Sequence, residues 1–405
     1  MTAPLIATRA LRIGLLTHST NPRGGVVHTV ELAHALHDAG HDVTVMAPAA
    51  PGQRFFRPLR CTAELIPAEP ASHDMVAMVG SRIEAIGAHL GELLKHRSFD
   101  VLHTHDPIGG NALANLVAQG VVGGFTRTVH HLETFAEPQL MDWQERGFRA
   151  ASQVLCVSAK WRETLARTHG ISAHEVPNGV DNHRFSSVAR SGGASDAVLA
   201  QRLGIRTGAP VVLAVGGVEE RKNTLRLLEA FVALRQRWPA AQLVVAGGAS
   251  LLDHASYRKA FHALAHGSGL EAGPLRPLLI TGPLADADMP GLYRLADVVA
   301  MASLNEGFGL VVLEALASGV PVAVSRIAPF TEYLRDDDCS WADPLDPVSI
   351  ADALHHAITG RSAACIAQSA ARLGARFSWA ASAARHASLY RRQLARPPAR
   401  EAVAS

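Results

Sequence analysis

EGFGLVVLEALASGVPVAVS, running from Glu306 to Ser325, places two carboxylates, Glu306 and Glu314, on either side of a helix start. Gly307 and Gly309 bound the turn that carries Glu306 and permit a sharp bend with close backbone approach. From Leu310 to Ala317 the apolar spacing predicts a helix, stopped by Gly319 and Pro321, and VPVAVS after it predicts a buried strand. Unpaired amides and the macrodipole at a helix start favour negative charge. Carboxylates flanking such an anion site can accept hydrogen bonds from hydroxyls on both sides of it. A sugar joined through a diphosphate to a nucleoside has that layout.

Apolar strands alternate with helical segments on both sides of this stretch. Upstream lie VVLAVG (Val211 to Gly216), QLVVAG (Gln242 to Gly247), PLLITG (Pro277 to Gly282) and DVVAMAS (Asp297 to Ser303). An earlier series opens with LRIGLLTHS (Leu11 to Ser19), an apolar-periodic helix from Val26 to Asp38 and DVTVMAP (Asp42 to Pro48). Strands are further predicted at Thr62–Pro67, Asp100–Thr104, Arg127–His130, Gln153–Val157 and His174–Val176. Such βαβ runs imply parallel sheets with helices on both faces. At 405 residues the chain is long enough for two domains. The small, polar stretch Ser186 to Ala197 reads as the linker, giving domains of 1–188 and 189–378.

The opening stretch, with its G-F-G-L turn, its L-E-A-x-A-x-G-x-P-V continuation and the LYRLADVVAMAS lead-in, resembles the E-x7-E signature of retaining glycosyltransferases of the GT-B fold, family 4 (group 1). The resemblance covers Leu11 to about Leu394 and includes VPNGVDNHRF, Val176 to Phe185. It implies two doubly wound Rossmann-like domains facing a cleft. The first is the acceptor side, with the C-terminal helix (379–394) crossing back onto it, and the second binds a nucleotide-sugar donor. Glu306 would hold sugar hydroxyls and Glu314 the ribose. Gly307, Phe308, Gly309 and Leu310 would line the donor, and Leu284 would meet the nucleobase.

Asn21 to Val26 (NPRGGV) joins the first strand to the first helix, where open α/β sheets bind ligands. Gly24 and Gly25 fit either a simple tight turn or, by the resemblance, a loop that closes over the donor diphosphate. The chain has neither G-x-G-x-x-G there nor a Gly-Lys pair anywhere, which excludes a dinucleotide fingerprint and a P-loop. In AVGGVEERKN (Ala214 to Asn223), Arg221 and Lys222 stand where the family keeps cations on the departing diphosphate. Charges fixed there stabilise the transition state more than the ground state. Gly217 occupies the place of the usual first arginine, so Arg221 would supply that charge from a different backbone position.

Histidines gather in LHTHDPIGG (His103, His105) and RTVHHLETF (His130, His131). H-x-H spacing suits a metal, but no accompanying carboxylate spacing supports one, and satisfied structural histidines are the bland alternative. The resemblance makes His130 the active-site histidine and puts His105, His131 and Glu133 on the acceptor side. No metal or other cofactor is expected. GPLADADM (Gly282 to Met289) predicts a helix capped by Asp286 or Asp288. The acidic triplet Asp336 to Asp338 reads as a solvated turn.

Hydrophobic content of 48%, charged content of 18% and a formal charge of +2 describe a globular protein with buried sheets and no nucleic-acid partner. Cys61, Cys156, Cys339 and Cys365 are scattered, as in a reducing, cytoplasmic setting. Arg9 and Arg12 spoil the N-terminus as a signal peptide. RFFRPLR (Arg54 to Arg60) interleaves cations with aromatics and suits weak peripheral contact with an anionic membrane, or a solvated loop. The residues from 397 to 405 are expected to be a disordered tail. The expected activity is metal-independent transfer of a sugar, with retention, from a nucleotide-diphosphate donor to an acceptor hydroxyl that the motifs do not identify. The alternatives are a GT-B nucleotide-sugar epimerase or hydrolase, and a non-catalytic nucleotide-sugar binding protein.

Overall fold

A computed structural model describes residues 9–70, 74–189, 195–248 and 254–395. The chain divides into two units, residues 1–178 with 379–405, and residues 179–378. The first contains β1 (Arg12–Leu16), α1 (Gly24–Asp38), β2 (Asp42–Ala49), β3 (Thr62–Pro67), α2 (Met75–Leu93), β4 (Val101–Thr104), α3 (Pro107–Ala118), β5 (Thr126–Val129), α4 (Pro138–Arg149), β6 (Gln153–Cys156), α5 (Ala159–His169) and β7 (Ala173–Glu175). The second runs α6 (Asp196–Leu203), β8 (Val211–Val215), α7 (Thr224–Arg237), β9 (Gln242–Ala246), α8 (Ala255–Gly267), β10 (Leu278–Gly282), a 3-10 turn (Asp286–Asp288), α9 (Met289–Arg294), β11 (Val298–Met301), α10 (Leu310–Ala317), β12 (Val322–Ser325), α11 (Phe330–Tyr333), β13 (Ser340–Ala342), α12 (Pro347–Gly360) and α13 (Ala363–Arg376). Helix α14 (Trp379–Leu394) rejoins the first unit.

Both sheets are parallel, in the orders β3-β2-β1-β4-β5-β6-β7 and β10-β9-β8-β11-β12-β13. A parallel strand covered by helices on both faces reads as a near-continuous apolar run, and β9, QLVVA, is buried along its whole length, with the one polar side chain, Gln242, hydrogen-bonded. Strand order reverses between β1 and β4 in one sheet and between β8 and β11 in the other. Ligands of open α/β sheets bind at such switch points, beyond the carboxyl ends of the strands. In the first unit those ends lead to Gly24 and His105, and in the second to Lys222 and Glu306.

Several expectations give way to packing. The unit boundary falls after Asn178 rather than at 188, because the Val180 N–H donates to the Phe377 carbonyl at 2.9 Å and so ties the strand exit to its own unit. Residues 190–194 of the expected linker lie outside the described residues. Its end is already α6, whose N-cap Ser195 accepts from the Val198 N–H at 3.3 Å. Neither Asp286 nor Asp288 caps a helix with its side chain; they pair instead with Arg184 (2.8 Å) and Arg202 (2.6 Å). Asp338 is not solvated but buried, accepting from the Arg335 N–H (2.7 Å) and pairing with Arg372. Two arginines of the Arg54–Arg60 segment pair with acids, Arg57 with buried Glu31 and Arg60 with exposed Asp38 at 2.9 Å. The expected tail, 397–405, lies outside the described residues. Among the described residues no helix is long and apolar enough to cross a membrane.

Candidate active site

In the second unit, β8 and β11 each end in a loop that carries charge inward. Oε1 of Glu306 accepts from Lys222 Nζ at 2.7 Å, Ser303 Oγ at 2.9 Å and Arg221 Nη1 at 3.0 Å. Arg221 also donates to the Asn305 carbonyl (3.3 Å) and lies 3.8 Å from Glu219. Burial pushes the Glu306 carboxyl up, but Lys222, Arg221 and the Ser303 hydroxyl outweigh burial and hold it at about 2. Glu306 is therefore an anion at every physiological pH, buried and able to accept hydrogen bonds from hydroxyls.

The departure at Gly217 has a steric cause. Its φ is +78°, and a Cβ there would lie 2.7 Å from the Gly248 carbonyl oxygen. No arginine fits on that backbone, and the arginine that reaches Glu306 is Arg221, four residues on. Asn223, at φ 58° and buried, fixes the loop that presents Arg221 and Lys222 by donating to the carbonyls of Ala302 (3.0 Å) and Pro344 (2.7 Å).

Gly309 opens α10 in the left-handed region at φ +90°, and a Cβ there would strike the Phe330 ring at 2.3 Å. The helix start leaves amides at Gly309 and Leu310 without intrahelical acceptors, an arrangement that favours negative charge. Phe308 turns its ring away into an aromatic cluster with Tyr333 (5.3 Å) and Phe377 (5.4 Å). Its carbonyl accepts from the Tyr333 hydroxyl at 2.9 Å, so its side chain belongs to the core and what it offers a ligand is backbone. Glu314, half-buried on α10, accepts from the Tyr293 hydroxyl at 2.6 Å. Leu284, half-buried, follows the end of β10, with β9 between β10 and β8. Ser303, Tyr293 and Tyr333 escaped the sequence reading, since each acts through a partner fixed by tertiary packing.

In the first unit Gly24 and Gly25 form the first turn of α1, not a loop ahead of it. Gly25 backs onto His130: a Cβ there would lie 3.6 Å from His130 Cδ2. His105 stacks on His130 at 5.5 Å, with Nδ1 facing His130 Nε2 at 3.3 Å. His28, not singled out from sequence, packs edge-on against His130 with ring centroids 4.6 Å apart. The only trace of it in the sequence is a histidine inside the apolar run of α1. Burial, with mutual repulsion behind it, holds His105 and His130 well below the usual histidine range and His28 at about 3. All three are neutral at pH 7.

His103 stands apart in role, with Nδ1 on the Tyr390 hydroxyl (2.7 Å) and Nε2 on Thr128 Oγ1 (2.8 Å), pinning α14 to the sheet. His131 and Glu133 pair with each other at 2.8 Å, and Glu133 is anchored to α4 by reciprocal backbone bonds with the Gln144 amide, both 2.9 Å. Burial pushes the Cys61 thiol up to about 11 and Cys339 up to about 12, so neither is a thiolate nucleophile at neutral pH.

Comparison with known proteins reports the same two halves. The family described as Glycosyltransferase Family 4 matches residues 22–184, and that described as Glycosyl transferases group 1 matches residues 196–374. The chain is 30% identical to the D-inositol 3-phosphate glycosyltransferase of Xylanimonas cellulosilytica, over 97% of this chain and 99% of that one. It is 29% identical to the phosphatidyl-myo-inositol mannosyltransferase of Mycobacterium tuberculosis, over 83% of each. Among solved structures, the sucrose-phosphate synthase of Thermosynechococcus elongatus superposes with a TM-score of 0.75 at 21% identity, covering 95% of this chain and 99% of that one. Anabaena HepE in complex with UDP-glucose gives a TM-score of 0.74 at 18% identity, covering 94% and 100%. The catalytic domain of Arabidopsis thaliana starch synthase IV, bound to ADP and acarbose, gives 0.75 at 14% identity, covering 96% and 100%.

Proposed function

The chain is a group 1 glycosyltransferase of family 4 with the GT-B fold, and on that premise we propose that it transfers a sugar from a nucleoside-diphosphate donor to an acceptor hydroxyl, with retention and without a metal ion. The observation that carries this reading is the single oxygen of Glu306 held by Lys222, Arg221 and Ser303 at the switch point of the second sheet. An ionised carboxylate there accepts from sugar hydroxyls, while the two cations beside it neutralise charge that grows on the departing diphosphate. Glu314, steadied by Tyr293, takes the ribose. Complexes of similar folds with UDP-glucose and ADP support a nucleotide donor.

In the reaction the bond between the anomeric carbon and the diphosphate oxygen breaks, and its electron pair leaves with the nucleoside diphosphate. The acceptor oxygen bonds to the same face of that carbon. Its proton passes to a donor phosphate oxygen, so no protein nucleophile is required. Arg221 and Lys222 supply the charge that a divalent ion gives elsewhere. His130 is the catalytic residue of the first unit in this reading, with His105, His131 and Glu133 on the acceptor side. The names of the two relatives make inositol phosphates and phosphatidylinositol the first acceptors to try.

Thermal-shift screening of UDP-, GDP- and ADP-sugars tests the donor class, since a ligand at 100 times its dissociation constant stabilises by about 2.7 kcal/mol. Transfer is then followed by NMR of the product's anomeric proton. An inverted product, or nucleotide-sugar cleavage that no acceptor accelerates, would sink the reading.

A further inference from the structure

The three histidines of the first unit are arranged for more than hydrogen bonding. Each of His28, His105 and His130 offers a ring nitrogen, and the three nitrogens lie within 4.8 Å of one another. The 3.3 Å between His105 Nδ1 and His130 Nε2 is long for an N–H···N bond. It equals the edge of a tetrahedron with metal–nitrogen bonds of about 2.0–2.1 Å, which is roughly 3.3–3.4 Å.

His28 supplies the independent sign. Its Nδ1 faces the Asn178 side-chain oxygen at 2.9 Å, so that nitrogen carries the hydrogen and Nε2 carries the lone pair. His28 Nε2 is buried and has no hydrogen-bond partner. A metal-binding imidazole is held in this way, one nitrogen donating to a fixed oxygen and the other turned to the ion. His103 is excluded from the set because both its nitrogens are taken, by Tyr390 and Thr128. Buried Arg127 opposes a cation nearby, and Asp106, whose Oδ2 is buried without a partner, offsets that charge.

We propose that His28, His105 and His130 bind a single borderline divalent cation, of the Zn2+ type, with solvent in a fourth position. Three imidazoles with neither thiolate nor carboxylate select Zn2+, Ni2+ or Co2+ and leave Mg2+ and Ca2+ unbound. His130, half-buried where His28 and His105 are buried, gives the ion its route in. Its ring cannot hold the ion and serve the donor sugar together, so occupancy inhibits transfer. That consequence, unlike the site itself, rests on the catalytic role proposed for His130. It is compatible with metal-independent turnover, because the ion is an inhibitor and not a participant.

The test uses the tag-free, metal-stripped full chain. Equimolar Co2+ should give the intense visible ligand-field bands of a tetrahedral site. Zn2+ should displace it at one ion per chain by calorimetry and raise the melting temperature, and Mg2+ should do neither. His28→Gln and His105→Gln should each weaken Zn2+ binding by about 100-fold or more. An octahedral cobalt spectrum, or Zn2+ affinity unchanged in a folded His28→Gln variant, overturns the site. If neither variant folds, the cobalt spectrum and zinc stoichiometry of the unaltered chain decide alone. Zn2+ that binds at one per chain without slowing transfer leaves the site standing and overturns the role of His130. Absence of binding overturns the site and leaves that role untouched.

Discussion

Lys222 Nζ stands 2.7 Å from Glu306 Oε1, across 84 residues of sequence, and this contact joins the loop after β8 to the loop after β11. The pair couples the group assigned to sugar hydroxyls to a group assigned to the diphosphate. Loss of either partner is therefore felt by the other.

Glu306→Gln keeps the shape and removes the charge. Transfer should fall by about 10²–10³ in kcat, the usual loss for one preorganised electrostatic group. Nucleotide affinity should change much less. Steady-state kinetics with the true donor check this, and a variant with unaltered kcat would remove Glu306 from the site.

Tyr293→Phe deletes the hydroxyl that donates to Glu314 at 2.6 Å. Nucleoside-diphosphate affinity should drop several-fold in this variant and further in Glu314→Ala, with the two losses not additive because both act through one carboxylate. Calorimetric titration of the nucleotide into both single variants and the double variant decides it. Strict additivity would mean that Tyr293 serves the fold alone.

Activity should survive exhaustive chelation, and a chelator should raise the activity of zinc-contaminated preparations. Turnover lost on chelation and restored by Mn2+ or Mg2+ would contradict transfer by Arg221 and Lys222 without a metal.

Acid should weaken the fold in two overlapping windows. His34 shares the upper one with other buried histidines such as His28, held at about 3, and His386, held at about 4, and Glu306 sets the lower one. Burial, reinforced by Arg60 and Arg57, holds His34 at about 4, below its usual 6.5. The unfolded chain therefore binds a proton that the folded one refuses, and stability falls as pH drops from 6.5 to about 4. Glu306 is depressed from 4.5 to about 2, so its contribution is complete above 4.5 and is lost as pH falls towards 2, on the order of 3 kcal/mol in all. His34→Gln, which keeps an acceptor for the Arg60 N–H, should flatten the upper window by about 1.4 kcal/mol per pH unit and leave the lower one. Denaturant midpoints across pH 2 to 7 measure both, and an unchanged upper slope would clear His34 of the effect.

The alternation of apolar strands with periodic helices gave away two parallel sheets, because a strand buried on both faces and an amphipathic helix each leave a local pattern. Glu306, Glu314 and the start of α10 were legible for the same reason: a turn glycine, an apolar helix and its stop lie within one short run. Arg221 and Lys222 could be named from sequence, and so could the oddity at Gly217. What the sequence could not say is that Gly217 leaves no room for a side chain, since the obstructing oxygen belongs to Gly248, just past the end of the neighbouring strand β9. The partners that tune the site are of that same kind. Ser303 and Lys222 meet on one oxygen, Tyr293 reaches Glu314, and His28 on α1 comes to rest against His105 and His130 beyond β4 and β5. Asp338 reads as one acid of an exposed triplet until Arg372 on α13 folds over it. Local periodicity is written residue by residue along the chain, whereas these contacts depend on strand order and helix docking. Only the tertiary structure decides which distant side chains share one oxygen or one ion.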